Sequence, residues 1–475
     1  MLNNPVNGRV SPAPANPAIT PAPVQGAAGM VIMASGIQMA IRSPNKADKE
    51  TAGNDGAPRR KPAKKSPQLL DKNKITASSA PSRRLLWVGD AAVPTGFATV
   101  THSVLAHLHQ NWEVIVSGIN YEGAPHAHPY TILPAWQGGD MWGMNRFSAL
   151  CAEYVPDVVI INNDWWNVAA FLDHAPKGLP IFGYMPVDGQ NLNPADIRRL
   201  NELAGAIWYT DFGHQEAVRA GFSGARHVIP HGIDASFWQP VDRASARQDL
   251  GLALPADAFI VGNVNRNQPR KRLDVAIHHF ASWAHARNVP NAWLLLHCAT
   301  KDTGWNLQRV AEFYGVADRL ILTGPQDLRD AVDASRLRLV YNALDLQIST
   351  TLGEGWGLTT MEGMACGVPQ IVPDWAALGE WPGPAVRVRC KAKLVHPEIN
   401  TVGALPDELA FADALQRGYE DAAWRKQASR ESAAFVRQER FQWATVAAQF
   451  DALLAQTVRA TAQARCAAVD FSAAA

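Results

Sequence analysis

From Leu85 onward, short apolar runs alternate with stretches in which apolar residues recur three or four positions apart. The runs LLWVG (85–89), EVIVSGI (113–119), DVVIIN (157–162), IFGYM (181–185) and AIWYT (206–210) are rich in β-branched and aromatic side chains. Runs that are apolar at nearly every position suit strands covered on both faces. Between the first two, FATVTHSVLAHLHQ carries helical spacing. The pattern predicts strand–helix alternation and a parallel sheet. It restarts at FIVGNV (259–264) and continues through AWLLLHC (292–298), LILTG (320–324), LDLQIST (344–350) and PQIV (369–372). Two such series, joined near VIPHGIDASFWQP (228–240), predict two doubly wound, Rossmann-like α/β domains facing a central cleft. In such sheets, ligands bind outside the carboxyl ends of the strands.

Residues 1–80 follow another pattern. SPAPANPAITPAPV is rich in Pro and Ala, and RRKPAKKSPQLLDKNK is basic with few large apolar groups. So little apolar surface does not offset the entropy of ordering, and a disordered tail is expected, with Arg59, Arg60, Lys61, Lys64 and Lys65 as its solubilising charges. The expected division is a tail (1–80), a first domain (81–238), a second domain (239–439), a helix at about 440–458 crossing back to the first domain, and a flexible tail (459–475).

Lys and Arg total 44 against 43 Asp and Glu, so the net charge of +1 argues against a protein that coats nucleic acid or a membrane surface as a whole. The five cysteines lie far apart with no Cys-x-x-Cys pair, which points to reduced, buried thiols in a cytoplasmic protein. No stretch reaches the roughly 20 apolar residues of a membrane helix. MVIMASGIQMAI (30–41) is too short and lacks a basic start.

The chemistry concentrates in STTLGEGWGLTTMEGMACGVPQIVPD (349–374). A strand ending near Thr350 leads through Gly353, Gly355 and Gly357 into a helix starting near Leu358. The glycines are expected to let the backbone approach a ligand, and the helix start offers free amides and a positive dipole end to a diphosphate. Met361, Met364 and Ala365 form the buried face, and Gly367 and Pro369 end the helix. Glu354 and Glu362, eight residues apart, would sit at opposite ends of the ligand. GNVNRNQPRKRLDVAI (262–277) places Arg266, Arg270, Lys271 and Arg272 just beyond another strand. Preorganised cations there stabilise the charge of a departing diphosphate. Arg270 and Arg272 read rather as parts of a solvated basic loop. His126 and His128 sit in a Pro-rich loop at a spacing too common to mark a metal site.

EGWGLTTMEGMACGVP resembles the Glu-x7-Glu signature of retaining glycosyltransferases of family four, which have the GT-B fold, with Trp356 in place of Phe and Gly363 in place of Ala. Arg266 and Lys271 match the family's Arg-x4-Lys pair, and VIPHGID (228–234), YNALD (341–345) and RFQWATVAAQF (440–450) resemble further family phrases. The resemblance implies a nucleoside-diphosphate-sugar donor as co-substrate, no cofactor and no metal. Arg266 and Lys271 would meet the diphosphate, and Glu362 the ribose. The amides of Gly357, Leu358 and Thr359 would meet phosphate and sugar, and Glu354 the transferred sugar. Gly96 in GDAAVPTGFA (89–98) is the equivalent of the family's first glycine-rich loop. Many members carry a histidine where this chain has Pro186. Asp188 or Asp164 then substitutes for part of its work as a catalytic group, or else caps a helix.

The acceptor stays open among a glycan, a small molecule and a modified DNA base. VGDAAVPTGFATVTHSVL, GYMPVDG and NVNRNQPRKRLD look like a subgroup associated with bacteriophage-encoded transferases. A non-catalytic nucleotide-sugar-binding module and a sugar-nucleotide epimerase of the same fold are the competing readings.

Overall fold

The computed structural model describes residues 83–92, 95–327, 332–397 and 399–473. The expected tail (1–80) and its basic residues lie outside them. β1 (Arg84–Asp90), β2 (Glu113–Ile119), β3 (Thr131–Pro134), β4 (Val158–Asn162), β5 (Ile181–Met185), β6 (Gly205–Trp208) and β7 (His227–Val228) form one sheet. Its order is β3-β2-β1-β4-β5-β6-β7, with every pairing parallel. The near-continuous apolar runs are explained by burial of both faces: along β1, Leu85 and Trp87 enter one apolar cluster, and Leu86 and Val88 enter another. Thr95 caps the helix Gly96–Leu108, its hydroxyl accepting from the Ala98 amide at 3.1 Å. That helix buries Val100, Val104, Leu105 and Leu108, at helical spacing.

β8 (Phe259–Val264), β9 (Ala292–His297), β10 (Leu320–Leu322), β11 (Leu346–Ile348), β12 (Gln370–Pro373) and β13 (Val386–Val388) form the second parallel sheet, in the order β10-β9-β8-β11-β12-β13. A separate antiparallel hairpin, β14 (Cys390–Val395) with β15 (Val402–Pro406), has no counterpart in the expected elements. In each large sheet the strand order reverses once, between β1 and β4 and between β8 and β11. These are the switch points where open α/β sheets form ligand crevices.

The helix Trp443–Ala473 returns to the first domain. Phe450 packs on Tyr184 and Trp87, with ring centroids 4.9 and 6.2 Å away, and Asp451 accepts from Trp112 Nε1 at 2.7 Å. Where a flexible tail is expected from 459, the helix continues to Ala473. The segment is rich in Ala and free of Gly and Pro, so nothing in it breaks a helix.

The two domains are joined at several points. Gln190 and Val402 exchange backbone hydrogen bonds of 3.0 and 2.8 Å. Glu380 of the second domain accepts from the amides of Asp211 and Phe212 at 3.0 and 2.7 Å, at the start of the first domain's helix Asp211–Arg219. In the linker, His231 sits in a box of Tyr184, Tyr209, Trp356 and Trp443. Burial pushes its pKa down to about 3, so the ring is neutral. Among the described residues, Cys151, Cys298, Cys366 and Cys390 are unpaired, and no helix is long and apolar enough to cross a membrane.

Candidate active site at the two switch points

The helix Leu358–Ala365 begins after Gly357, whose φ of 94° is left-handed, and no side chain caps it. Its first-turn amides therefore face outward with the dipole end. Across the crevice stands Gly96: a Cβ there would lie 3.4 Å from Leu358 Cδ1. Met361, Met364 and Ala365 are fully buried, as the spacing predicts. Gly363, in place of the family's Ala, has a local cause. A Cβ there would fall 1.8 Å from the Gln347 side-chain oxygen, which accepts from Gln370 Nε2 at 3.1 Å.

Five charged side chains meet where the crevices face each other. Lys271 Nζ donates to Glu354 Oε1 at 2.5 Å, and Arg270 Nη1 donates to Glu354 Oε2 at 3.3 Å and to the Gly353 carbonyl. Arg270 Nε pairs with Asp188 Oδ2 at 3.2 Å. Asp164, at the N-cap position of the helix Trp165–Phe171, caps nothing with its side chain and shares the field of Asp188 and Arg270. The loops after β4 and β5 thus supply two carboxylates, and those after β8 and β11 supply two cations and a third carboxylate.

This environment separates the groups' protonation. Burial alone would raise Glu354, but Lys271 and Arg270 outweigh it and hold the carboxyl below its ordinary pKa. Burial pulls Lys271 down to about 8 even with Glu354 beside it. Asp164 is pushed up to about 7 by burial and by Asp188, with Arg270 acting the other way. Perturbation of this kind by burial and specific partners in a cleft marks a candidate functional site.

Two expectations change here. Arg270 is not part of a solvated loop: the carboxylates of both domains draw it inward. Arg272 does stay local, bonded to Asp274 at 2.7 and 2.9 Å. Gly353 and Gly355 are required by the facing domain. A Cβ on Gly353 would fall 1.7 Å from the Asp188 carbonyl oxygen, and one on Gly355 would fall 2.3 Å from Pro186 Cβ. The backbone that comes close is the first domain's loop after β5.

Arg266 and Glu362 lie outside this cluster. Arg266 makes a two-pronged pair with the buried Asp302, at 3.0 and 3.1 Å. Asp302, Thr300, Trp305 and Leu322 help line a cavity of about 330 Å³. Glu362 accepts from the buried Tyr341 hydroxyl at 2.6 Å. Burial pushes its carboxyl up to about 7, partly offset by that bond. Tyr341 and Asp302 escape a reading along the chain, although Tyr341 opens the YNALD phrase. Asp345, which closes that phrase, is structural: it binds Arg243, Arg247 and the Ile260 amide.

Asp90, at the carboxyl end of β1, is also missed by sequence. It accepts from Thr95 Oγ1 at 2.5 Å, and burial raises its pKa. His128 stacks on His102 with centroids 3.9 Å apart, and Tyr130 bonds to His102 Nδ1 at 2.8 Å. His126 and His128 therefore belong to an aromatic stack.

Two doubly wound domains facing across a crevice, tied by a returning helix, define the GT-B class. Residues 256–421 match the family described as Glycosyl transferases group 1. The D-inositol 3-phosphate glycosyltransferase of Nocardia farcinica is 33% identical over 198 residues, 40% of this chain and 41% of that protein. The Mycolicibacterium gilvum enzyme of the same name is 35% identical over 173 residues, 36% of this chain and 35% of that protein. The matches thus span about two fifths or less of these relatives. Sucrose-phosphate synthase from Thermosynechococcus elongatus superposes with a TM-score of 0.62 at 20% identity, over 80% of this chain and all of that one. Anabaena HepE in complex with UDP and glucose gives 0.59 at 16% identity, over 79% of this chain and all of that one. At these identities the likeness is one of fold.

Proposed function

We propose that the protein is a retaining glycosyltransferase that moves a sugar from a nucleoside-diphosphate sugar to an acceptor hydroxyl, with no metal ion at the donor. The observation that carries this reading is the Lys271–Glu354–Arg270–Asp188 network, set beside an uncapped helix start at the switch points of two facing Rossmann sheets. The names of the relatives, and the UDP complex of a protein of the same fold, support a nucleotide-sugar donor.

In this reading the amides after Gly357, together with Lys271 and Arg266, neutralise the diphosphate. Arg266 exchanges Asp302 for phosphate, and the cavity beside Asp302 takes the nucleoside end. Glu362, oriented by Tyr341, holds the ribose hydroxyls. Glu354 faces the transferred sugar, with Asp188 and Asp164 on the acceptor side. The bond from the anomeric carbon to the diphosphate oxygen breaks. The acceptor oxygen then bonds to that carbon from the same face, and its proton passes to the leaving phosphate. Cations and a helix dipole already aimed at the developing charge supply the stabilisation.

Mass spectrometry of nucleoside diphosphate released from a panel of nucleotide-sugars tests the assignment. Arg266→Ala and Glu362→Ala should each cut turnover by about 100- to 1000-fold, the usual cost of one preorganised charge contact. Wild-type turnover and donor affinity in both variants would remove these residues from the site. Glycans, small molecules and hydroxymethylated DNA are the acceptors to offer.

A further inference from the structure

On the outside of the second domain, the helix Leu273–Ala286 packs against the helix Glu408–Glu420. His278 and His279 on the first meet Glu408 at the start of the second, and one donor atom from each lies within 4.8 Å of the others. His278 Nε2 is 3.8 Å from Glu408 Oε1, which also accepts from Ser282 Oγ at 2.6 Å.

His279 is the unusual member. It is only 5% exposed, Phe411 packs on its ring at 5.1 Å, and neither ring nitrogen has a hydrogen-bond partner. The Pro406 carbonyl lies beside the ring but forms no well-aligned bond with it. A buried imidazole that has given up water on both nitrogens without replacement is costly, unless something else takes a lone pair.

We propose that His278, His279 and Glu408 form a site for a borderline divalent cation of the zinc type. Two imidazoles and one carboxylate suit zinc, cobalt or nickel, whereas magnesium and calcium prefer all-oxygen shells. Tetrahedral bonds of about 2.0–2.2 Å place ligand atoms roughly 3.4 Å apart. His279 is fixed by its packing, while His278 and Glu408 are 36% and 43% exposed and have room to close on it. The fourth position stays open to water.

The site lies more than one turn into the helix Leu273–Ala286, which begins two residues after Lys271, and shares no residue with the charged cluster, so it does not serve the transfer chemistry. It ties the helix that follows Arg270 and Lys271 to the one that follows β15, the strand whose Val402 bonds to the first domain. Its effect is on stability.

The full chain, stripped with EDTA, reloaded with zinc and desalted, should retain about one zinc per chain by elemental mass spectrometry. Its melting temperature should rise with zinc, because an ion bound only by the folded state stabilises it by mass action. His278→Ala and Glu408→Gln should each lose the zinc and the rise, while His126→Ala, in the first domain's aromatic stack, should keep them. Donor turnover of His278→Ala should equal wild type. No retained zinc, or retention unaffected by His278→Ala, or loss on His126→Ala, overturns the site. Zinc is counted directly, so this outcome is independent of the proposed transfer activity.

Discussion

Arg270→Ala separates the clustered site from a plain basic loop. In the structure Arg270 is about one quarter exposed and bridges Asp188 of one domain to Glu354 of the other. Removing it leaves Asp164, Asp188 and Glu354 around Lys271 alone. Breaking a buried pair by deleting one partner costs about 3–5 kcal/mol. Lys271 still pairs with Glu354, which puts the expected cost near the lower end, about 3 kcal/mol. For domains of this size each kcal/mol moves the melting temperature by roughly 2–4 °C, so a drop of about 6–12 °C follows. Arg272→Ala is the internal comparison, because its partner Asp274 is two residues away and the pair touches no other domain. It removes a pair of similar exposure, 19% and 22%, but one confined to its own domain, so it should leave turnover near wild type. Scanning fluorimetry with donor-hydrolysis kinetics reads both quantities. Equal, small shifts in the two variants, with turnover intact in Arg270→Ala, would refute the cluster.

Glu362 makes stability depend on pH. Its folded pKa of about 7 is raised above the ordinary carboxyl value, so between about pH 4.5 and 7 the folded state holds a proton that the unfolded state has released. The melting temperature of wild type minus that of Glu362→Gln should therefore fall as pH rises through that window and level off above it; a flat difference contradicts the burial of this carboxyl. Deleting residues 1–78, which carry few large apolar side chains, should leave melting temperature and donor hydrolysis nearly unchanged, and a loss of many degrees would make that segment part of the fold. EDTA should leave turnover intact, because cations and a helix dipole meet the diphosphate; loss of activity restored by magnesium or manganese would contradict that electrostatic account.

Strands buried on both faces announce themselves as apolar runs, so β1, β2, β4, β5, β6, β8, β9, β11 and β12 are legible in the sequence; the edge strand β10 is legible from its apolar residues although it is partly exposed. β14 is not, because most of its residues are exposed and no apolar run marks it. The donor helix is legible because Gly357, Gly367 and Pro369 punctuate it, and Met361, Met364 and Ala365 carry its period. Arg270 and Arg272 look alike along the chain. What distinguishes them is Asp188, brought by the other domain, and no local pattern contains that contact. The same holds for Asp302 on Arg266 and Tyr341 on Glu362. Gly353 and Gly355 are recognisable as positions of close approach, but only the fold shows that the approaching backbone is Pro186–Asp188.

The central claim is transfer with retention at Glu354, and it is tested most directly by the anomeric NMR signal of the first sugar released from an accepted nucleotide-sugar. The account predicts a first-formed anomer with the donor's configuration, and its loss in Glu354→Gln. A first-formed anomer of opposite configuration, or unchanged release by Glu354→Gln, would contradict it.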